Sequence, residues 1–337
     1  MLLEWSNFPV KEHILAYLNF EARCNLRACS KADLELVDSS KFVPQKMTLR
    51  EIGSNMDDEK SIIRLDIDSF TIWFIGKNEK TRIERAWNEE VMEMAETKDE
   101  NRFDVFRRFI DRFLKNGAFE AHRLNIISPS FEAEGMLTTF FYPNSFSCYN
   151  RFFPTDHWKI KTSHFVLTSN NMPADGWATS WLSKVTPGTK LETLTVLNIS
   201  VGGLPALPLI YDVTEKLNLE LRTELTDEDL DKLKAKSLVL WAEGTTQEGV
   251  KRALARFLHA NNADSIFLIR SNFPVDFDPV TLIPEDVKFK QEESAFPEES
   301  VFKLSGGRFL SVAFNTVRVF QKPKQRQKEN YIMWPFN

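Results

Sequence analysis

RLNII (123–127), HFVLT (164–168), ETLTVL (192–197), KLNLEL (216–221), KSLVLW (236–241) and DSIFLI (264–269) are the stretches on which the fold turns. Each is a short run rich in aliphatic residues with polar residues on both sides, the pattern of a buried strand. From 164 onward they recur every 20–30 residues or so. Helical spacing fills some of the gaps, at 175–184, 226–234 and 246–260. Thr245-Thr246-Gln247-Glu248 reads as a capping box at the start of the last of these. One strand and one helix per unit, repeated, predicts a stack in which each unit buries its apolar face on the next.

The spacing partly resembles the leucine-rich repeat L-x-x-L-x-L-x-x-N. Phe165, Leu167 and Asn170 fit its second half; Leu191, Leu194 and Val196 fit its first half, with Asn198 one residue early. The expected fold class is therefore α+β / α/β, an irregular leucine-rich-repeat-like α/β region that ends in an antiparallel hairpin. Toward the C-terminus, 276–299 is acidic and proline-bearing and reads as a connecting loop. VFKLSGGRFLSVAFNTVRVF (301–320) reads as a three-stranded meander turning at Ser305-Gly306-Gly307 and Asn315-Thr316. Lys322, Lys324, Arg326 and Lys328 give the tail a basic character, which suits a nuclear-import patch or simple solubility.

Toward the N-terminus, Phe103, Phe106, Phe109, Ile110, Phe113 and Leu114 fall at three- and four-residue spacing, so 101–116 is expected to be an amphipathic helix that stops at Gly117. Residues 83–97 also look helical. SIIRLDIDSFTIWFIG (61–76) reads as two strands with a tight turn at Asp68-Ser69. Ahead of these lies a small helical module. Pro9 stands near the start of a first helix with Ile14, Leu15 and Leu18, Asn19-Phe20-Glu21 breaks it, and a second helix runs from about Ala22 through Leu26, Cys29, Leu34 and Val37.

The 337 residues suggest roughly two domains. The composition is that of an ordinary globular chain, and no apolar run approaches the ~18–20 residues of a membrane span. MLLEWSNFPV has neither a basic n-region nor a cleavage site, so no secretory signal is expected. Three cysteines fit a reducing compartment better than a disulfide framework. A net charge of −5 offers no global attraction for nucleic acid or an anionic membrane. With 28 Phe and 12 Gly there is no GxGxxG, GxxxxGK[ST] or GxSxG. None of the five histidines forms H-E-x-x-H, and Cys24 and Cys29 lack a companion pair, so no metal or cofactor is expected. Asp156-His157 and Ser163-His164 are neighbours in sequence only, which is poor ground for a triad. The acidic runs, Asp227-Glu228-Asp229 among them, read as solvated faces or helix-start charges. Trp158, Trp177, Trp181 and Trp241 are expected in the core.

The helical module resembles the F-box. The family pattern of an L-P opening, a helix ending I-L-x-x-L, a polar turn, a second helix and a V/C-S/C-K/R stop reads here as FP, ILAYL, NFEA, RCNLRAC and SK. CNLRACSKADLELVDSSKF after a Trp-Ser opening is similar to nematode F-box families, and 226–320 resembles their C-terminal F-box-associated region, FTH-type or type-2. The resemblance implies residues 1–45 as F-box, 46–119 as a connecting region, 120–321 as a substrate-binding region and 322–337 as tail. It implies a non-enzymatic substrate adaptor of an SCF (Skp1–cullin–F-box) ubiquitin ligase, cytoplasmic and/or nuclear. A Skp1-like adaptor, and cullin through it, would be met by Phe8, Pro9, Ile14, Leu15, Leu18, Phe20, Leu26 and Cys29, and a target protein by the C-terminal region. So small a module cannot bury its own apolar face well, so Phe8, Pro9, Ile14, Leu15, Leu18 and Leu26 should stand open in some measure, on a unit apart from the main body, while Cys24 and Cys29 read as small core hydrophobes. Only Val10 to His13 separate Pro9 from Ile14, about two residues fewer than is usual in the family, which motivates an alternative: an interaction module without ligase coupling. An unrecognised hydrolase or transferase is the remaining reading.

Overall fold

The computed structural model describes residues 14–321, apart from 16, 41, 53–61, 78–79, 88–89, 98–99, 114–117, 128–153, 170–173, 199–203, 261, 263, 275–276, 295 and 314. Two short helices, α1 (Phe20–Cys29) and α2 (Lys31–Ser39), precede the strands β1 (Lys46–Ile52), β2 (Ile62–Ile67), β3 (Phe70–Lys77), β4 (Lys80–Trp87) and β5 (Glu90–Thr97). Helix α3 (Arg102–Phe113) follows, then β6 (Ala118–Ile127), β7 (Lys159–Ser169), α4 (Ala174–Leu182), β8 (Thr193–Asn198) and β9 (Lys216–Thr223). After them come α5 (Asp227–Lys232), β10 (Ser237–Ala242), α6 (Gln247–Ala260) and β11 (Phe267–Arg270). The last strands are β12 (Phe289–Glu292), β13 (Glu299–Leu304), β14 (Arg308–Ala313) and β15 (Thr316–Gln321).

The fifteen strands among the described residues form one sheet, ordered β12-β13-β14-β15-β11-β10-β9-β8-β7-β6-β1-β2-β3-β4-β5. From β1 through β6 to β11 every neighbouring pair is parallel, and antiparallel meanders extend the sheet on both sides. Residues 46–119 thus share a sheet with 120–321.

Strict alternation makes the sheet two-faced. Leu49, Ile126, Leu167, Val196, Leu219 and Leu240 are cross-strand partners in succession, and the row continues through Ile269 to Val317. All of them are buried. Two residues back runs a second buried row, from Met47 and Leu124 through Phe165 and Leu217 to Phe267. The helices pack on this face. Phe106 of α3 meets Phe74 edge-on at 5.4 Å, Trp181 of α4 meets Phe119 at 6.2 Å, and Phe257 of α6 meets Phe267 at 5.1 Å between ring centroids. Full burial of each such side chain contributes about 1.5–3 kcal/mol, which makes this one-sided layer the core of the molecule.

Several expectations are corrected. Residues 83–97 are β4 and β5 rather than helix. Ile83, Ala86 and Trp87 do sit at helical spacing, but β3 offers β4 an unbroken partner from Phe70↔Trp87 to Lys77↔Lys80, and pairing overrides local propensity. The second N-terminal helix breaks in two at Ser30, whose extended backbone (φ −156°, ψ 164°) lets its hydroxyl cap Asp33 N–H at 3.1 Å. The capping box lies at α5, between Thr226 and Asp229. At α6 the cap is Thr246 instead, with Gly249 N–H donating to its hydroxyl at 3.3 Å. The segment 276–299 is not all loop, since it supplies β12 as an edge strand beside β13. The two hairpin readings agree with the structure: Asp68 turns with φ 54°, and Gly306 and Gly307 turn with φ of 85° and 80°.

Candidate functional site

In the N-terminal helices, Asn19 caps α1 by accepting from Ala22 N–H at 2.8 Å. Arg23 is the staple of the unit. It is buried, it donates to Leu18 O at 3.2 Å, to Leu15 O and to the Ser40 hydroxyl at 2.8 Å, and its guanidinium lies 4.8 Å from the Phe42 ring centroid. Burial pushes its pKa down. One side chain thereby ties the end of the first helical turn, α1 and the end of α2 together.

Of the residues expected to meet a partner, Phe8 and Pro9 lie outside the described residues. Leu15 (1% exposed) and Phe20 (8%) are sealed inward. Phe20 sits 5.0 Å from Phe70 at the start of β3 and 5.9 Å from Phe42, so it belongs to the main core. The expectation that Leu15 stands open is therefore corrected, and Phe20, expected at the partner interface, instead docks the unit on the sheet. Leu18 and Leu26 are half-buried, whereas Ile14 (39%) and Cys29 are exposed. Sequence reasoning passed over Tyr17, which is 83% exposed. Its signal was available, because Tyr17 and Leu18 are three and four residues from Ile14, the spacing that puts both on the helical side of Ile14.

A second candidate surface is the sheet face opposite the helices. Thr48, Asn125, Val166, Thr195, Asn218 and Val239 are successive partners across it. Asn125 Nδ2 donates to Thr48 Oγ1 at 3.0 Å, and Asn218 Nδ2 to Glu220 Oε1 at 2.9 Å. Trp241 belongs to this face as well. It is half-buried, with Arg270 stacked 4.3 Å from its ring centroid and its Nε1 donating to Glu243 at 3.1 Å. The other three singled-out tryptophans are core. The histidine pairs do not join as the sequence order suggests: Ser163 Oγ meets His122 Nδ1 at 2.8 Å, His164 Nδ1 meets Thr193 Oγ1 at 2.9 Å, and His157 Nε2 meets Asp111 at 2.9 Å. Among the described residues no group of three His, Cys, Asp or Glu is placed to hold a metal ion.

Residues 5–45 match the F-box domain. The match takes in Ile14, Tyr17, α1 and α2, and it ends one residue before β1 begins. Arg23, the staple of these helices, thus lies inside the F-box, as do the buried Leu15 and Phe20, the latter of which fastens the unit to the sheet. No curated protein and no solved structure matches the chain.

Proposed function

We propose that this chain is the substrate-recognition subunit of an SCF-type ubiquitin ligase. Its F-box would bind a Skp1-like adaptor, and cullin through it, while the sheet region holds a target protein. The observation that carries the reading is the F-box match at 5–45 together with the exposed Ile14 and Tyr17 on that unit. Exposed apolar side chains clustered on a small module are what an interface needs. The chain itself is read as non-enzymatic, supplying proximity and orientation while other subunits transfer ubiquitin. We assign the parallel strands to an irregular leucine-rich-repeat-like stack of the nematode F-box-associated kind, and the protein to the cytoplasm and/or nucleus.

The test is co-expression of the full chain with a Skp1-like adaptor. Co-purification is expected, and Ile14→Glu with Tyr17→Glu should abolish it without changing the circular dichroism spectrum, because neither side chain is in the core. Leu15→Asp would be a poor probe, since a charge there would unfold the unit. Failure of the wild-type chain to bind any such adaptor overturns the reading. The inward sealing of Leu15 and Phe20, which reduces the apolar area on offer, favours a second reading as an interaction module without ligase coupling. A target whose half-life is the same with and without this protein would select it.

A further inference from the structure

We propose that the sheet face on which no helix packs among the described residues, here the helix-free face, is where the target docks, and that the part of the target it takes is an extended segment rich in Asp and Glu. This rests on the substrate-adaptor reading and names the chemistry of its partner.

The floor of the face is a polar row, and one member of it is incomplete. Asn218 is only 7% exposed. Its Nδ2 donates to the Glu220 carboxylate, which accepts only, and this fixes the orientation of the amide. Its Oδ1 is then a buried acceptor without a hydrogen-bond donor among the described residues. A buried acceptor left unmet costs about 1–3 kcal/mol; a backbone N–H of a segment laid across the strands would satisfy it once a neighbouring side chain moves aside, since the atom is closed to the surface as it stands.

Around that acceptor the face is basic, although the chain as a whole carries a net charge of −5. Arg123, Arg222, Arg270 and Arg318 are exposed on it. The face also carries carboxylates, and these have partners: Glu220 accepts from Asn218, Glu243 pairs with Arg222, Glu299 accepts from the Ser311 hydroxyl, and Glu292 lies 3.9 Å from the Lys290 ammonium. Among the described residues neither Arg270 nor Arg318 forms an ion pair. Arg270 lies over Trp241, its guanidinium carbon 4.3 Å from the ring centroid, and a guanidinium can take a carboxylate in two hydrogen bonds. Asn218, Val239, Leu268 and Arg318 are partners in one row. Arg318 is therefore three strand spacings from Asn218, roughly 14 Å. An extended chain covers that span in about four residues, so one segment can give a backbone N–H to Asn218 and a side-chain carboxylate to the Trp241–Arg270–Arg318 cluster.

The test uses labelled synthetic peptides of about twelve residues, with zero to six Asp/Glu in an otherwise constant Ser/Leu background, titrated against the full chain by fluorescence anisotropy. Affinity should rise with acidic content and fall at least about tenfold between ~50 and ~300 mM salt. Arg270→Glu with Arg318→Glu should weaken it about tenfold or more, and Asn218→Leu, which removes no charge, about fivefold. Both arginines are exposed, so the double variant should keep its thermal midpoint. No preference for acidic peptides, equal binding by the double variant, or binding only after serine phosphorylation each overturns the proposal. Adaptor co-purification of the same variants separates the two claims. A wild-type chain that shows no acid preference yet binds the adaptor defeats this inference alone, and acidic-peptide binding without adaptor binding defeats the ligase reading alone.

Discussion

Asp229 stands in an acidic run at the start of α5, yet it is buried. Burial opposes its ionisation, but Thr226 N–H, the Tyr211 hydroxyl, the Thr226 hydroxyl and Lys232 outweigh it and hold the carboxyl at about 2. Tyr211 pays the counterpart shift: burial first, then the bond to Asp229 at 2.7 Å, push its hydroxyl to about 12. For Asp229 the folded value lies below the unfolded one. Its stabilisation is therefore present above about pH 4 and is lost as pH falls toward 2, about 2–3 kcal/mol in all. Urea midpoints measured across that range should fall in the wild type, and Tyr211→Phe, which removes one donor to the carboxylate, should make the fall shallower. Gly249 is the other decisive position nearby. A Cβ there would lie 2.1 Å from Asp227 Oδ1, the oxygen that accepts Thr246 N–H at 2.7 Å. Gly249→Ala must expel the carboxylate that joins α5 to the cap of α6, and chemical denaturation should show a loss of about 1–2 kcal/mol where a helix normally gains from alanine. Neither effect was legible in the sequence. Read alone, Asp227-Glu228-Asp229 is a solvated face or a set of helix-start charges, and the second reading agrees with the first turn of α5, but the partners that bury and use it, Tyr211 and Thr246, are more than ten residues away.

At the scale of elements, what could be read was whatever depended on local period. The six short apolar runs became β6 to β11, and the phenylalanine stripe became α3, because their own spacing states which side faces inward. What failed depended on a neighbour. The β4–β5 hairpin has the residues of an amphipathic helix and is a hairpin only because β3 is there to pair with it. Trp241 was assigned to the core by residue type, yet its place in β10 puts it on the opposite face from Leu238 and Leu240. The F-box helices divide in the same way. The order of the motif was visible, but the inward turn of Phe20 required knowing that Phe42 and Phe70 would be beside it. Arg23→Ala tests the staple. It removes donors to two carbonyls and a hydroxyl and should destabilise the unit by about 2–3 kcal/mol. Hydrogen exchange should then speed up in α1 and α2 while β6 to β11 stay protected.

Across the whole molecule, the parallel strands lie beside one another in the order in which the chain makes them, and only β2–β5 intervene, as a meander at one side. In such a sheet each strand is stabilised by its immediate neighbours and by the helical layer above it, so an element attached at one place can be removed without dismantling the rest. The F-box is attached in that way: among the described residues its ring contacts to the sheet run through Phe20 to Phe70. Deleting residues 1–45 should therefore leave a folded sheet. Exposing Phe70 and its neighbours costs a few kcal/mol, which for a chain of this size lowers the thermal midpoint on the order of 5–10 °C. The truncated chain should lose adaptor binding and keep the peptide affinity of the helix-free face. Collapse into aggregate on deletion would mean instead that the F-box helices complete the core, so that their apolar residues serve the fold of this chain before they serve any partner.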